Sequence, residues 1–413
     1  MSMMNRTVMS KNAALGLGSP VSAGHVLQMI REGNMNSRAD IARATGLARS
    51  TVSQRVDALI AAGLVNEESD ATSTGGRPPQ RLIFNARLGV VLAADFGATH
   101  SRIAVTDLAG NVLAEEPAEV AIDEGPERIL GWAVAHFAML LKEVGCKKSD
   151  VRGIGVGVPG PVEFATGRAV SPPIMPGWHN YRIPVFFGSG FPGVPVLVDN
   201  DVNVMAVGEY WAHWRKTVND LILIKVATGI GAGIIVNGHV LRGAQGAAGD
   251  LGHVRLNSAS DVMCTCGNKG CIEAIASGPA IAKRLEADGI KAEGARDVVT
   301  LVRSGSREAS AYVRDAGRDL GLVISQVVNL MNPAVIVIGG DLAYAEDQLF
   351  AGVREAVYRQ SGTLATSSLQ IVKSRLGDRS GVTGAAITVI DRVLSAEAVD
   401  QLLAGSDQAG AIA

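Results

Sequence analysis

No stretch of this 413-residue chain is apolar for long enough to cross a bilayer. The longest uncharged run, Leu320 to Gly340, is interrupted by Gln326, Asn329, Asn332 and Pro333, whereas a membrane helix needs about 20 mostly apolar residues. The opening segment MSMMNRTVMSKNAALGLGSP lacks the continuous apolar core of a secretion signal. Aromatic residues make up only 4 % and cysteines number four, which excludes a disulfide-stapled mini-protein. Charged residues are also scarce, at 19 %, and with 47 % apolar residues they exclude a wholly disordered chain. There is enough apolar material for two or three domains at about 150 residues each, and Gly is abundant at 49. The expectation is a soluble, cytoplasmic protein.

The net charge of −2 conceals a split. Residues 1–87 hold ten Lys and Arg against six acids, or +4, which leaves 28 against 34, or −6, for the remainder. A basic N-terminal segment on an acidic body is what a DNA-reading domain fused to something else shows. Ordinary surface variation also produces such a split, so the pattern within the segment has to decide.

That segment contains three apolar-periodic stretches. The first runs from about Val21 to Arg31 and stops at Gly33-Asn34. The second opens on Ser37-Arg38-Ala39-Asp40, a capping box in which Asp40 reaches back, and ends at Gly46. The third runs from about Arg49 to Ala62, with Gly63 as its stop. On it Val52, Val56, Leu59 and Ile60 share one stripe, while Ser50 and Gln54 point the opposite way, flanked by Thr51 and Ser53 and led by Arg49. A short helix, a glycine turn and a longer helix with a polar outer face form the helix-turn-helix pattern, whose small polar side chains reach base edges in the major groove. Leu64-Val65, a polar tip over Glu67–Thr74 and the β-prone Arg81-Leu82-Ile83-Phe84 then read as a wing. Between them Gly75-Gly76-Arg77-Pro78-Pro79 offers Arg77, beside Pro78, as a probe for a narrow minor groove. A plain helical cap and a Pro-rich linker are the competing readings.

From Gly89 onwards the texture is α/β. Val90–Ala94 runs into Asp95-Phe96-Gly97-Ala98-Thr99-His100 and then Ile103–Val105. The same strand, glycine turn and strand recur about 130 residues later as Leu221–Val226, Ala227-Thr228-Gly229-Ile230-Gly231-Ala232-Gly233 and Ile234–Val236. This suggests a duplicated architecture of two lobes facing one cleft. Glycine turns with free amides can wrap phosphate oxygens, and Asp95 could hold Mg²⁺ through water, although such turns usually just connect strands. Val196-Leu197-Val198-Asp199-Asn200-Asp201-Val202-Asn203 reads as a strand leading into a helix over Val204–Trp211. Asp201, at the junction, reads either as a helix cap or as a general base toward a substrate hydroxyl.

The strongest local signal is Gly249-Asp250-Leu251-Gly252-His253 followed by Cys264, Cys266 and Cys271, with Glu273 just beyond. Three thiolates and an imidazole make a closed four-ligand zinc set, which argues for a structural Zn²⁺ rather than a hydrolytic one.

Together these residues resemble the ROK family (repressors, open reading frames and sugar kinases), specifically its transcriptional-regulator branch, over nearly the whole chain from about residue 20. The resemblance implies an N-terminal winged helix-turn-helix over 1–85 and a two-lobe actin-like, ribonuclease-H-like ATPase body. In that body 86–200 with 385–413 would form the first lobe and 201–384 the second lobe, with the zinc site. It implies phosphate loops at Asp95, Gly97 and Thr99 and at Thr228, Gly229 and Gly231, and an adenosine-side segment from Asn332-Pro333 to Gly339-Gly340. It implies a sugar-binding set of Asn200, Asp201, Asp250, His253 and Glu273, with Asp201 at the catalytic-base position. Gly177-Trp178 and Val158-Pro159-Gly160 match segments near the sugar cleft. Two departures stand out. Gly97-Ala98-Thr99-His100 replaces the kinases' Gly-Gly-Thr-Lys. Asp250 replaces a Glu, withdrawing the carboxylate by roughly 1–1.5 Å.

The resulting expectation is a sugar-responsive transcriptional regulator, a repressor, taking a sugar or sugar phosphate as effector. The alternative is an ATP- and Mg²⁺-dependent sugar kinase carrying a DNA-binding head, and the third reading is a scaffold whose body only oligomerises. Operator DNA and a homo-oligomer are the implied partners, since half-sites a helical turn apart need two heads; a dimer is expected, with a tetramer as the larger option.

Overall fold

A computed structural model describes residues 21–33, 35–69, 80–170 and 175–410. The chain divides into two compact units, one of residues up to Leu88 together with Asp391 onwards, the other Gly89–Ile390. Among the described residues no helix is long and apolar enough to cross a membrane.

The first unit contains α1 (Ala23–Arg31), α2 (Arg38–Thr45) and α3 (Arg49–Ala61). Ser37 Oγ accepts from the Asp40 amide at 3.1 Å, as its position predicts. The Asp40 carboxylate, however, accepts from the Ser37 hydroxyl at 2.7 Å rather than from the cap backbone. Gly46 and Gly63 end α2 and α3 at φ +72°, a conformation that other side chains resist. Val52, Val56 and Leu59 are fully buried with Val26, Leu27 and Ile41, whereas Ile60, expected on the same stripe, is only half-buried. Arg38 ties α2 to α3 and to the segment beyond it by pairing with Asp57 at 2.8 Å and with Glu67 at 3.0 Å.

Two strands, β1 (Val65–Ser69) and β2 (Gln80–Phe84), pair antiparallel with Val65 opposite Phe84. Glu67 and Glu68, expected in the wing's tip, therefore lie on a strand. The final helix, Ala396–Gly410, was expected with the first lobe as part of 385–413, but it packs against α1. The Gly24 amide donates to Asp400 Oδ1 at 2.9 Å, and a Cβ at Gly24 would lie 2.2 Å from the Ala396 carbonyl oxygen, so a bare backbone makes this contact possible.

The second unit holds two five-stranded sheets and a small hairpin. The strands are β3 (Val90–Phe96), β4 (Ser101–Asp107), β5 (Val112–Ala118), β6 (Val151–Val158), the hairpin β7 (Val162–Glu163) and β8 (Arg168–Ala169), β9 (Val196–Asn200), β10 (Leu221–Val226), β11 (Ile230–Val236), β12 (His239–Val240), β13 (Val335–Gly339) and β14 (Gln370–Lys373). The sheet orders are β5-β4-β3-β6-β9 and β12-β11-β10-β13-β14. In each sheet the leading strand pairs antiparallel with the next strand in sequence and parallel with the crossover strand, so the two glycine hairpins are equivalent elements of one repeated plan. β13 is buried along its whole length, as expected for a parallel strand covered on both faces. The first lobe's core gathers Phe137, Trp178 and Phe187, and the second lobe's core lies under the long helix Arg307–Met331.

Two helices join the lobes at glycines. Asp201–Glu209 and Ser380–Val393 approach so closely that a Cβ on Gly384 would fall 1.6 Å from the Val204 carbonyl oxygen, and one on Gly155 of β6 would fall 2.1 Å from that of Ala385. Gly384→Ala is expected to destabilise the body by about 1–3 kcal/mol through forced separation of these elements. Gly131→Ala, in the helix Pro126–Glu143 with nothing within 4 Å of the added methyl, should instead be neutral or gain about 0.5–1 kcal/mol. Urea midpoints of the two variants check this, and equal midpoints would contradict the close-packing account.

Candidate functional site

The two equivalent hairpins face each other across a cleft of about 780 Å3. Gly97 turns the first hairpin, its amide donating to the His100 carbonyl at 2.9 Å, and Thr99 and His100 stand at its mouth. Burial holds the His100 imidazole below its usual value. In the second hairpin Thr228 is exposed, Gly229 and Gly231 line the wall, and the Ile230 amide donates to Glu273 Oε2 at 2.9 Å. A Cβ on Gly229 would meet that same carboxylate at 2.7 Å, so glycine is what lets the turn close on Glu273.

At the floor, Asn200 rather than Asp201 caps the following helix. Its Oδ1 accepts from the Val202 amide at 3.0 Å, and its Nδ2 donates to the Gly160 carbonyl at 3.0 Å. The helix thus starts at Asp201, three residues before the expected Val204, and the Asp201 side chain lines the cleft. Asp201 is not free, however: Lys225 Nζ lies 2.5 Å from its Oδ2. Asp95, ending β3, lies on the same floor. Burial, reinforced by the charge of Asp201 and partly offset by Lys225, lifts its carboxyl from 3.8 to about 7. Burial pulls the Lys225 ammonium down, but Asp201 and Asp95 outweigh it and leave its pKa raised.

Lys225 escaped the sequence reading. The available signal was a lone cation in the otherwise apolar strand Leu221–Val226, just ahead of the glycine turn. A second unforeseen pair joins Arg242 to the buried Asp199 at 2.8 Å, with the guanidinium stacked on Phe164.

The remaining expected residues divide between wall and core. Asp250, His253 and Glu273 line the cleft, as do Pro159, Gly160 and Gly340. Trp178 does not: it is fully buried, its indole N–H donating to the Ile122 carbonyl at 3.0 Å. Asn332 serves as a left-handed cap of the long helix Arg307–Met331.

His253, Cys264, Cys266 and Cys271 bring one ligand atom each to within 4.8 Å of one another. Cys266 and Cys271 Sγ are 3.7 Å apart, and Cys264 Sγ is 3.8 Å from His253 Nδ1. A tetrahedral ion with sulfurs at about 2.3 Å and nitrogen at about 2.0–2.1 Å sets ligand–ligand edges of about 3.5–3.8 Å, so the donor set fits zinc. Hydrogen bonds from Asn268 pull the Cys266 thiol down to about 7, whereas burial and the neighbouring thiols push that of Cys271 up to about 12. The other imidazole nitrogen of His253, Nε2, turns toward Asp250 Oδ1 at 3.9 Å, so the ring presents one nitrogen to the cluster and the other to the cleft.

In the first unit, Arg49, Ser50 and Gln54 are exposed on α3, while Thr51 and Ser53 are half-buried beside them. Arg77 and Pro78 lie outside the described residues.

A profile described as ROK family matches residues 91–392, and one described as winged helix-turn-helix DNA-binding matches 25–66. The xylose repressor of Caldicellulosiruptor bescii is 32 % identical over 384 residues, covering 90 % of this chain and 95 % of its own. The DNA-binding transcriptional dual regulator NagC of Escherichia coli K12 is 29 % identical over 373 residues, covering 88 % and 90 %. Among solved structures, a ROK family transcriptional regulator homologous to the E. coli MLC protein superposes with a TM-score of 0.79 at 26 % identity, covering 92 % of this chain and 98 % of its own. The ROK hexokinase of Thermus thermophilus superposes with a TM-score of 0.62 at 29 % identity, covering 74 % and 99 %.

The raised Asp95 pKa makes a signed prediction. Between 3.8 and about 7 the folded chain holds a proton that the unfolded chain has released, so stability falls as pH rises through that window. Asp95→Asn should remove this slope, gaining more over wild type at pH 8 than at pH 5 in urea denaturation. An equal gain at both pH values would contradict it.

Proposed function

The chain belongs to the ROK family, in which it is a sugar-responsive, DNA-binding repressor, and we propose that α3 reads its operator while the cleft between the two sheets receives the effector sugar. The observation that carries this reading is His253, whose ring joins a four-ligand metal cluster to a carboxylate-lined cleft in a chain that also bears a polar, exposed helix-turn-helix face.

Arg49, Ser50 and Gln54 project from α3 for base edges and phosphates, with Thr51 and Ser53 at the margin, and Arg77 with Pro78 is assigned to the minor groove. Asp250, His253 and Glu273 supply acceptors and a ring N–H for sugar hydroxyls, and Asn200 and Asp201 complete the floor. His253, Cys264, Cys266 and Cys271 hold a structural zinc, which fixes the loop that presents His253 and Asp250. The metal thereby supplies rigidity and imidazole orientation to the sugar site. Two heads on paired half-sites require at least a dimer, and operator DNA places the protein in the cytoplasm. Sugar changes operator affinity only by favouring one arrangement of the lobes over another.

The retained Asp201, Asp95 and paired glycine turns keep a second reading in view, that of an ATP-dependent sugar kinase with a DNA-binding head.

The logarithm of operator affinity is expected to fall linearly with the logarithm of salt concentration, and Gln54→Ala to cost about 1–3 kcal/mol on the preferred sequence with little effect on random DNA. A salt-independent affinity, or none, would refute the reading. Freshly prepared protein should contain one zinc per chain. Cys266→Ser should lose both the zinc and the rise in melting temperature produced by the effector among a panel of xylose, glucose and N-acetylglucosamine. Sugar binding that is unchanged after zinc loss would uncouple the cluster from the cleft.

A further inference from the structure

Lys225 is unused by either reading, yet it sits where the chemistry of the cleft is decided. It is the penultimate residue of the apolar strand β10, opposite Gly231 in the second glycine hairpin, with its ammonium 2.5 Å from Asp201 Oδ2. Asp95 converges on the same place from β3: a Cβ on Gly157 would stand 3.1 Å from Asp95 Oδ1 and 3.6 Å from the Cα of Asp201. Two carboxylates, one near the end of β3 and one opening the helix after β9, that converge beside a glycine turn can hold a divalent cation for a nucleotide. Here a covalently attached cation is already bonded to one of them. The other cationic side chains lining the cleft are committed too: Arg102 pairs with Glu115 at 3.1 Å and Arg296 with Asp341 at 3.5 Å. Asp250, Glu273 and Asp378 add further carboxylates to the lining. A triphosphate or sugar phosphate would therefore meet acids without an uncommitted Lys or Arg among the described lining residues.

We propose that Lys225 is a resident counter-cation standing in for a divalent metal between Asp95 and Asp201, which makes the cleft a metal- and nucleotide-independent receptor for an uncharged sugar. The inference rests on the reading of the cleft as a sugar site. Lys225 acts there as a specificity-determining residue: it neutralises the would-be general base, so that Asp201 is held as a hydrogen-bonding floor for sugar hydroxyls rather than as a proton acceptor for phosphoryl transfer.

The test uses the zinc-loaded full chain. Mn2+ is titrated by water-proton relaxation, and xylose, glucose, N-acetylglucosamine and their phosphorylated forms are titrated by calorimetry with and without Mg-ATP, with ADP release followed in parallel. Wild type is expected to show no saturable Mn2+ site, no ADP release, and tighter binding of a free sugar than of its phosphate, unchanged within about twofold by Mg-ATP. Lys225→Met should gain Mn2+ affinity by about tenfold or more, because a cation no longer repels the metal, whereas Lys225→Arg should not. Saturable Mn2+ or Mg-ATP binding by wild type, preference for a sugar phosphate, or equal Mn2+ behaviour of the Met and Arg variants would overturn the proposal. Operator binding reports whether each variant folds, and the wild-type titrations decide even where Lys225→Met does not. If the Mn2+ pattern appears but no sugar binds, the counter-cation stands and the sugar-receptor reading fails.

Discussion

The body depends on one close-packed joint. The helix Ser380–Val393 passes between β6 and the helix Asp201–Glu209 at backbone contact, which is possible only because Gly155, Gly208 and Gly384 present no side chains there. Packing at this distance leaves no slack. It holds the end of β3 and the start of the Asp201 helix in fixed relation, and so brings Asp95 and Asp201 to one floor. The Gly381 backbone also abuts Asp95, where any Cβ would lie 1.9 Å from Oδ2. This enclosure is the physical source of the raised Asp95 pKa and of the need for a cation beside it.

On that joint the lobes are tied by charge as well as by packing. Lys225 on β10 reaches Asp201 after β9, and Arg242 after β12 reaches Asp199 on β9, so each pair links one sheet to the other. Buried pairs of this kind contribute little net stability, since desolvation offsets their attraction, but breaking one leaves an uncompensated charge. They therefore specify one arrangement of the lobes more than they strengthen it. A sugar that exchanges hydrogen bonds with Asp201 acts directly on one of these ties, which gives its binding energy a route to the relation between the lobes.

The candidate metal-ligand cluster borders the cleft, which both His253 and Cys266 line. Nδ1 of His253 lies 3.8 Å from Cys264 Sγ and Nε2 lies 3.9 Å from Asp250 Oδ1, so the two ring nitrogens face different partners. Asp250 is the more exposed partner of this pair.

Local regularities were legible without a structure. The apolar stripe of α3, the glycine stops, the Cys spacing and the repeated hairpin are each encoded within a few residues, and helix and strand periodicity or ligand spacing reveals them. Even here boundaries shifted where a side chain had two uses. Asn200 took the cap that Asp201 was a candidate for, and Ser37 bonded the carboxylate expected to reach backbone. What the family resemblance added was the identity of the wall residues. It also placed Trp178 near the cleft, where the structure buries it in the core. Tertiary structure alone decided that Lys225 pairs with Asp201, 24 residues away, and that the last helix docks on α1 through Gly24 and Asp400, 376 residues apart. The sequence by itself determined which elements form and which chemistry they carry, because those depend on near neighbours. Which charges neutralise one another depends on chain segments brought together only by folding, and this decides whether a carboxylate is a base or a floor.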